Sequence, residues 1–241
     1  MKKKVIIAIC IILALGLAAG AIWYFGFELP EQQKREENAR LVQMYRDNKM
    51  AIFNEENQRY ADGEVDVAFI GDSLTDMYDV KRFYPQYLVS NRGIGGDTSF
   101  DLEGRLQASL YDLQPKVVVM LIGGNNPYTM LENYEQIVIS MKENLPNSEI
   151  VLISMTSMGG EIWGRFNHQA AFNNVRIKMI AEKYDCIYVD MFSPLLNPAT
   201  NEIYEEYTTD GGHLTEKGYE IFTKTVTPAI EVALERQRNS L

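Results

Sequence analysis

The chain has 241 residues, 46% of them hydrophobic, and a net charge of −10, which sets the size at one ordinary globular domain with a little to spare, able to bury a core without staples. Two cysteines, Cys10 in an N-terminal apolar run and Cys186 in an expected core strand, argue against a disulfide between them, and two scattered histidines leave no usual zinc constellation. Lys2, Lys3 and Lys4 leave −13 on the remainder, an acidic body that argues against nucleic acid as a partner and against electrostatic docking on anionic lipid.

From Val5 to Phe27 run 23 residues without a charge. At about 1.5 Å per residue they span a bilayer core of about 30 Å. Trp23 and Tyr24 lie near the far end, where amphipathic rings favour the interface. Residues 1–27 therefore read as a single-pass transmembrane signal anchor in the cell membrane, with the rest of the chain outside the cytoplasm. Ala19-Gly20-Ala21 offers the alternative of a cleaved signal and a secreted product, but cleavage there would leave Ile22-Trp23-Tyr24-Phe25 as an exposed end. Residues 28–62 read as an amphipathic helix and linker. Leu41, Met44, Tyr45, Ile52 and Phe53 form a thin apolar stripe at helical spacing, expected to pack partly on the domain that follows.

Residues 63–241 alternate short apolar runs with helical patterns. Strands are predicted at Val65–Ile70, Tyr87–Ser90, Val117–Ile122, Ile150–Ser154 and Cys186–Val189. Helices are predicted around Ser99–Leu113, Met130–Leu145 and Phe166–Tyr184. A last one covers about Thr215–Leu234, with Pro228 bending or breaking it. Continuous apolar strands alternating with helices imply a five-stranded parallel sheet covered on both faces, a three-layer α/β/α domain. In such sheets ligands gather at the carboxyl ends of the strands. Ser73, Gly93–Asp97 and Gly123–Asn126 each follow a predicted strand.

Ser73 sits where the first strand ends and needs a base. Of the two histidines, His168 falls in a polar helical stretch and reads as a solvated residue. His213 sits three residues after Asp210, with Gly211 and Gly212 permitting the sharp turn that brings carboxylate and imidazole together. Ser, Asp and His in that order suggest nucleophilic acyl transfer. Three groups are candidates to receive an oxyanion: the Ser73 N–H, the glycine-rich turn Asn91–Asp97 and the Asn125 side chain. The glycines lack the dinucleotide spacing and the P-loop lysine, and Thr75 breaks the G-x-S-x-G elbow.

Gly71-Asp72-Ser73-Leu74-Thr75, Asn91-Arg92-Gly93-Ile94-Gly95-Gly96-Asp97-Thr98-Ser99, Gly123-Gly124-Asn125-Asn126 and Asp210-Gly211-Gly212-His213-Leu214-Thr215, in that order, resemble the four motif blocks of the SGNH (GDSL-type) hydrolases. The resemblance covers roughly residues 64–232 and is greatest to the platelet-activating-factor acetylhydrolase-like esterases. It implies a flavodoxin-like fold. It also implies Ser73 as nucleophile and first oxyanion donor, Gly96 and Asn125 as second and third donors, and Asp210 and His213 as acid and base. Asn126 stands where the third block more often has an acid.

The expectation is a serine esterase with no metal or organic cofactor, acting on a small ester or an acetylated glycan. Glycine-rich turns crowd the carbonyl site, which suits an acetyl group, so an envelope carbohydrate O-acetylesterase leads. A lipase or lysophospholipase is the alternative, and a catalytically idle, membrane-tethered scaffold is the reading of another class. Trp163 and Arg165, in the loop Met155–Arg165, are the candidate substrate contacts, with loop packing the plainer role for Trp163. The sequence does not set the oligomeric state.

Overall fold

The computed structural model describes residues 2–240, with side chains described for Lys3, Leu13 and residues 15–239. It divides into two compact units, Met1–Lys49 and Met50–Leu241. The first unit holds α1 (Lys2–Trp23), a π-helical turn (Tyr24–Glu28) and the start of α2 (Leu29–Arg59). Side chains are described for 15 of the 27 residues of the expected membrane anchor at 1–27, and the other 12 lie outside the described side chains. Among the described residues, no helix is long and apolar enough to cross a membrane. The apolar stripe of α2 is buried only at Phe53, whereas Leu41, Met44, Tyr45 and Ile52 are exposed.

The second unit is built on a parallel sheet of β1 (Val67–Gly71), β2 (Val89–Gly93), β3 (Val117–Leu121), β4 (Glu149–Ile153) and β5 (Ile187–Val189). The order is β2-β1-β3-β4-β5. Side chains alternate across it. Ala68, Ile70, Val118, Met120, Ile150 and Leu152 face one core, with α5 (Ser99–Glu103), α6 (Tyr134–Asn144) and α8 (Asn167–Lys183) on that side. Val67, Phe69, Val119, Val151 and Ile153 face the other, covered by the turns α3 (Ser73–Asp76) and α4 (Val80–Phe83) and by α10 (Glu216–Ser240). The three-layer arrangement and the five parallel strands agree with the pattern of apolar runs. The short helices α7 (Gly160–Trp163) and α9 (Phe192–Leu195), and a hairpin of β6 (Leu196–Asn197) and β7 (Glu202–Ile203), decorate the carboxyl side.

Three local expectations change. The helix around Ser99–Leu113 is interrupted: α5 ends at Glu103, and a π-helical turn occupies Gln107–Tyr111. Strand β2 runs on through Asn91, Arg92 and Gly93, which read as a turn from sequence. Arg92 stays in the sheet because its guanidinium meets Glu56 at 3.2 Å and the Phe53 ring at 4.9 Å. Pro228 neither breaks nor ends α10. The missing proline N–H would have served the Lys224 carbonyl, and both residues are exposed, so the bond is lost at the surface of the helix rather than against the core.

Candidate active site

Strand β1 is flanked by β2 and β3, so the chain leaves it at the topological switch point, where ligand crevices form. Its last residue is Gly71 because a Cβ there would run into the Leu121 carbonyl and the Thr75 hydroxyl. Asp72 then caps α3, its Oδ1 accepting from the Leu74 N–H at 3.1 Å. That cap makes Ser73 the first helical residue, half-buried, at the carboxyl edge of the sheet.

The Ser73 Oγ lies 3.0 Å from His213 Nε2, and His213 Nδ1 lies 2.8 Å from Asp210 Oδ2. The second oxygen of Asp210 accepts from the backbone N–H groups of Gly212 (2.9 Å) and His213 (2.8 Å). Burial works to raise the Asp210 carboxyl. The His213 N–H and ring and the Gly212 N–H outweigh it and hold the carboxyl down at about 2. Gly211 has φ +90, and a Cβ there would meet the Gly159 carbonyl, so the turn depends on glycine at that position. The His213 carbonyl is fixed by the Thr209 N–H (2.9 Å) and the Thr208 hydroxyl (2.7 Å). Trp163 sets its ring edge to face against the imidazole, centroids 5.9 Å apart.

Asn125 follows β3 and reaches the same cavity as Ser73 and His213. One hydrogen of its side-chain amide is spent on the Asp97 carbonyl at 2.9 Å, which leaves the other for the cavity. Asp97 is held in turn by Arg105, whose Nε meets its carboxylate at 2.6 Å. The same guanidinium donates to the Arg92 carbonyl, the Gly71 carbonyl and the Ser109 hydroxyl. One buried arginine thus links the ends of β1 and β2 to the loop that aims Asn125. Gly96 has φ +83 in the turn directly before Asp97, and among the described residues its N–H and that of Ser73 meet no backbone acceptor. Gly96 is not among the residues that line the cavity beside Ser73.

That cavity measures about 30 Å³ and is walled on the far side by Met155, Thr156, Met158 and Trp163. Arg165 lies in a neighbouring cleft instead. His168 is exposed on α8, as its polar surroundings suggest. Among the described residues no group of three or more His, Cys, Asp or Glu side chains is placed to hold a metal ion. Sequence reasoning missed Asp72. It is buried at the cavity floor, where desolvation pushes its carboxyl up to about 6 against hydrogen bonds from Leu74 and Gly124. It also missed the Arg105–Asp97 pair, because an arginine and an aspartate eight residues apart carry no signal of their own.

A family model described as the GDSL-like Lipase/Acylhydrolase family matches residues 69–221, more than half of the chain. Among solved structures, a Streptococcus pneumonia protein described as a platelet activating factor superposes with a TM-score of 0.74 at 24% identity. The match covers 83% of this chain and 99% of that one. A GDSL-like lipase from Bacteroides thetaiotaomicron gives 0.68 at 24% identity, covering 76% and 98%. An acetyl xylan esterase from Geobacillus stearothermophilus gives 0.58 at 20%, covering 70% and 95%. At these identities the structural likeness speaks for the fold. No match was found among curated proteins.

Proposed function

We propose that this chain, which belongs to the GDSL-like lipase/acylhydrolase family and is a GDSL-type ester hydrolase, removes acetyl groups from carbohydrate hydroxyls through an acyl-enzyme on Ser73. The observation that carries this reading is the unbroken run from the Ser73 hydroxyl through the His213 ring to the Asp210 carboxylate, at 3.0 and 2.8 Å. His213 Nε2 takes the Ser73 proton as Oγ attacks the ester carbonyl. Asp210 holds the ring by its Nδ1–H and stabilises the imidazolium. The oxyanion is received by the Ser73 N–H, the Gly96 N–H and the free hydrogen of the Asn125 amide. His213 then protonates the leaving alcohol, and water repeats the sequence to release acetate.

The acyl group is small because the room beside Ser73 is small. A cavity of about 30 Å³ holds about two water-sized groups. That suits an acetyl methyl and leaves a fatty chain outside. The esterase is held at the cell membrane by residues 1–27, with its body outside the cytoplasm. The support is the uncharged run Val5–Phe27 behind three lysines.

A panel of p-nitrophenyl esters from acetate to palmitate, run beside acetylated sugars, tests the chemistry. Acetate is expected to be the best acyl group, and Ser73→Ala to fold normally and lose nearly all turnover. Full turnover in Ser73→Ala removes the assignment. For the anchor, the full chain is expected to stay in the membrane fraction after alkaline carbonate extraction; recovery in the supernatant refutes it.

A further inference from the structure

We propose that the alcohol released by this enzyme is a sugar carrying a carboxylate, bound in the cleft of Arg165, Tyr128 and Phe166. The inference rests on the esterase reading above and adds the substrate's second half. Asn125 borders two openings: the small cavity beside Ser73 and a cleft of about 460 Å³ walled also by Asn126, Tyr128, Thr129, Arg165 and Phe166. A tetrahedral carbon held at Asn125 sends its two arms apart. The acyl methyl takes the small cavity, and the alcohol takes the cleft, whose size is that of ordinary ligand sites (roughly 300–1,000 Å³).

The wall chemistry specifies the alcohol. Tyr128 and Phe166 meet edge to face, centroids 5.8 Å apart, and Tyr128 is 68% exposed. Such a ring presents a flat apolar surface of the kind that the C–H face of a sugar covers. The Arg165 guanidinium lies 4.7 Å from the Phe166 ring centroid, which keeps it beside the aromatic pair. Among the described residues it has no carboxylate within ion-pairing distance, and no acid lines the cleft, in a chain with 33 of them. An exposed guanidinium in an acid-free wall is a site for bidentate recognition of an anion. The floor is firm: the Asn126 amide bonds the Ser99 hydroxyl (3.0 Å) and Thr129 hydroxyl (3.3 Å), and its carbonyl accepts the Ser99 N–H (3.2 Å). A phosphate would satisfy the arginine equally well. The aromatic pair favours a ring beside the anion, and the small acyl cavity disfavours a lysolipid, so the carboxylate sugar is the better match.

The test compares kcat/KM for an acetylated hexuronate and the same acetylated sugar without its carboxylate, with p-nitrophenyl acetate as a reference for the chemistry. The acidic sugar is expected to be preferred by roughly tenfold or more, a preference that falls as salt is raised. Arg165→Gln is expected to collapse that ratio, and Tyr128→Ala to raise KM for both sugars. Turnover of p-nitrophenyl acetate with a ratio near one, or a ratio that Arg165→Gln leaves unchanged, overturns the proposal while the esterase reading stands. Faster hydrolysis of a lysophospholipid than of the acidic sugar overturns it as well. Failure to hydrolyse p-nitrophenyl acetate removes the esterase reading, and the inference with it.

Discussion

The Asn125 amide points into the cavity because the Asp97 carbonyl occupies its other hydrogen. Asn125→Ala deletes a donor aimed at developing charge, and a loss of roughly 10²–10³ in kcat is expected, with KM little changed. Asp210 acts through His213. Its carboxyl, held down at about 2 by its bonds to the His213 backbone and ring, stays ionised wherever the enzyme works. A depressed carboxyl supports the fold above its unfolded value of 3.8, and that support fades only as pH falls toward 2. Asp210→Asn preserves shape but offers the ring an N–H where it needs an acceptor. A fall of roughly 10⁴ in kcat/KM is expected, read with p-nitrophenyl acetate beside an unchanged circular dichroism spectrum. His213 was legible because its type is scarce: with two histidines in 241 residues, the base was almost chosen by counting, and Asp210 followed from its place three residues before it. Arg105 was not legible. Its four partners, Asp97, Arg92, Ser109 and Gly71, come together only once β1 and β2 are paired.

The turn from β1 into α3 shows the same contrast at the scale of an element. The apolar run Val67-Ala68-Phe69-Ile70 announced its strand, and the serine after it announced the edge of the sheet. The cap on Leu74 is local, but the burial of Asp72 was hidden, because it depends on Gly124 and its loop arriving from β3. Its carboxyl titrates at about 6 in the fold and near 3.8 unfolded. Between those values the folded chain holds the extra proton, so this group favours folding in acid and loses that advantage as pH rises from about 4 to about 6. Two pKa units correspond to about 3 kcal/mol. Asp72→Asn keeps an oxygen for the Leu74 N–H and cannot ionise. Urea midpoints measured from pH 4 to 6.5 are expected to drift in the variant's favour; parallel curves would show that Asp72 does not carry this cost. Pro228 marks the opposite limit, a strong local signal for a break that the exposed face of α10 and its apolar face on the sheet override.

The extent of the folded unit is the least legible property of the molecule. Residues 28–62 read as an amphipathic helix and linker packing partly on the domain that follows, with nothing in their pattern to mark Met50 as the start of the second compact unit. Phe53 is fully buried there, Asn57 donates to the Ala108 carbonyl at 2.7 Å, and Glu56 accepts from the Ser90 hydroxyl at 2.6 Å. An ion pair inside a core defeats hydrophobic pattern reading, since Glu56 and Arg92 look like solvated residues until they meet across 36 positions. Arg92 is fully buried, and desolvation brings its guanidinium down to about 10, so it remains charged at neutral pH. Glu56→Ala therefore strands a buried cation and a serine hydroxyl, and a loss of about 3–5 kcal/mol is expected in urea unfolding. Ile52→Ala, on the same helix but half exposed, is expected to change stability by less than about 0.5 kcal/mol. If the cost of Glu56→Ala is the stranded charge, removing the charge as well must return most of it. Glu56→Leu combined with Arg92→Met is then expected to be more stable than Glu56→Ala alone. A double variant as weak as the single one would mean that this segment is held by its packing on Phe53 rather than by the ion pair.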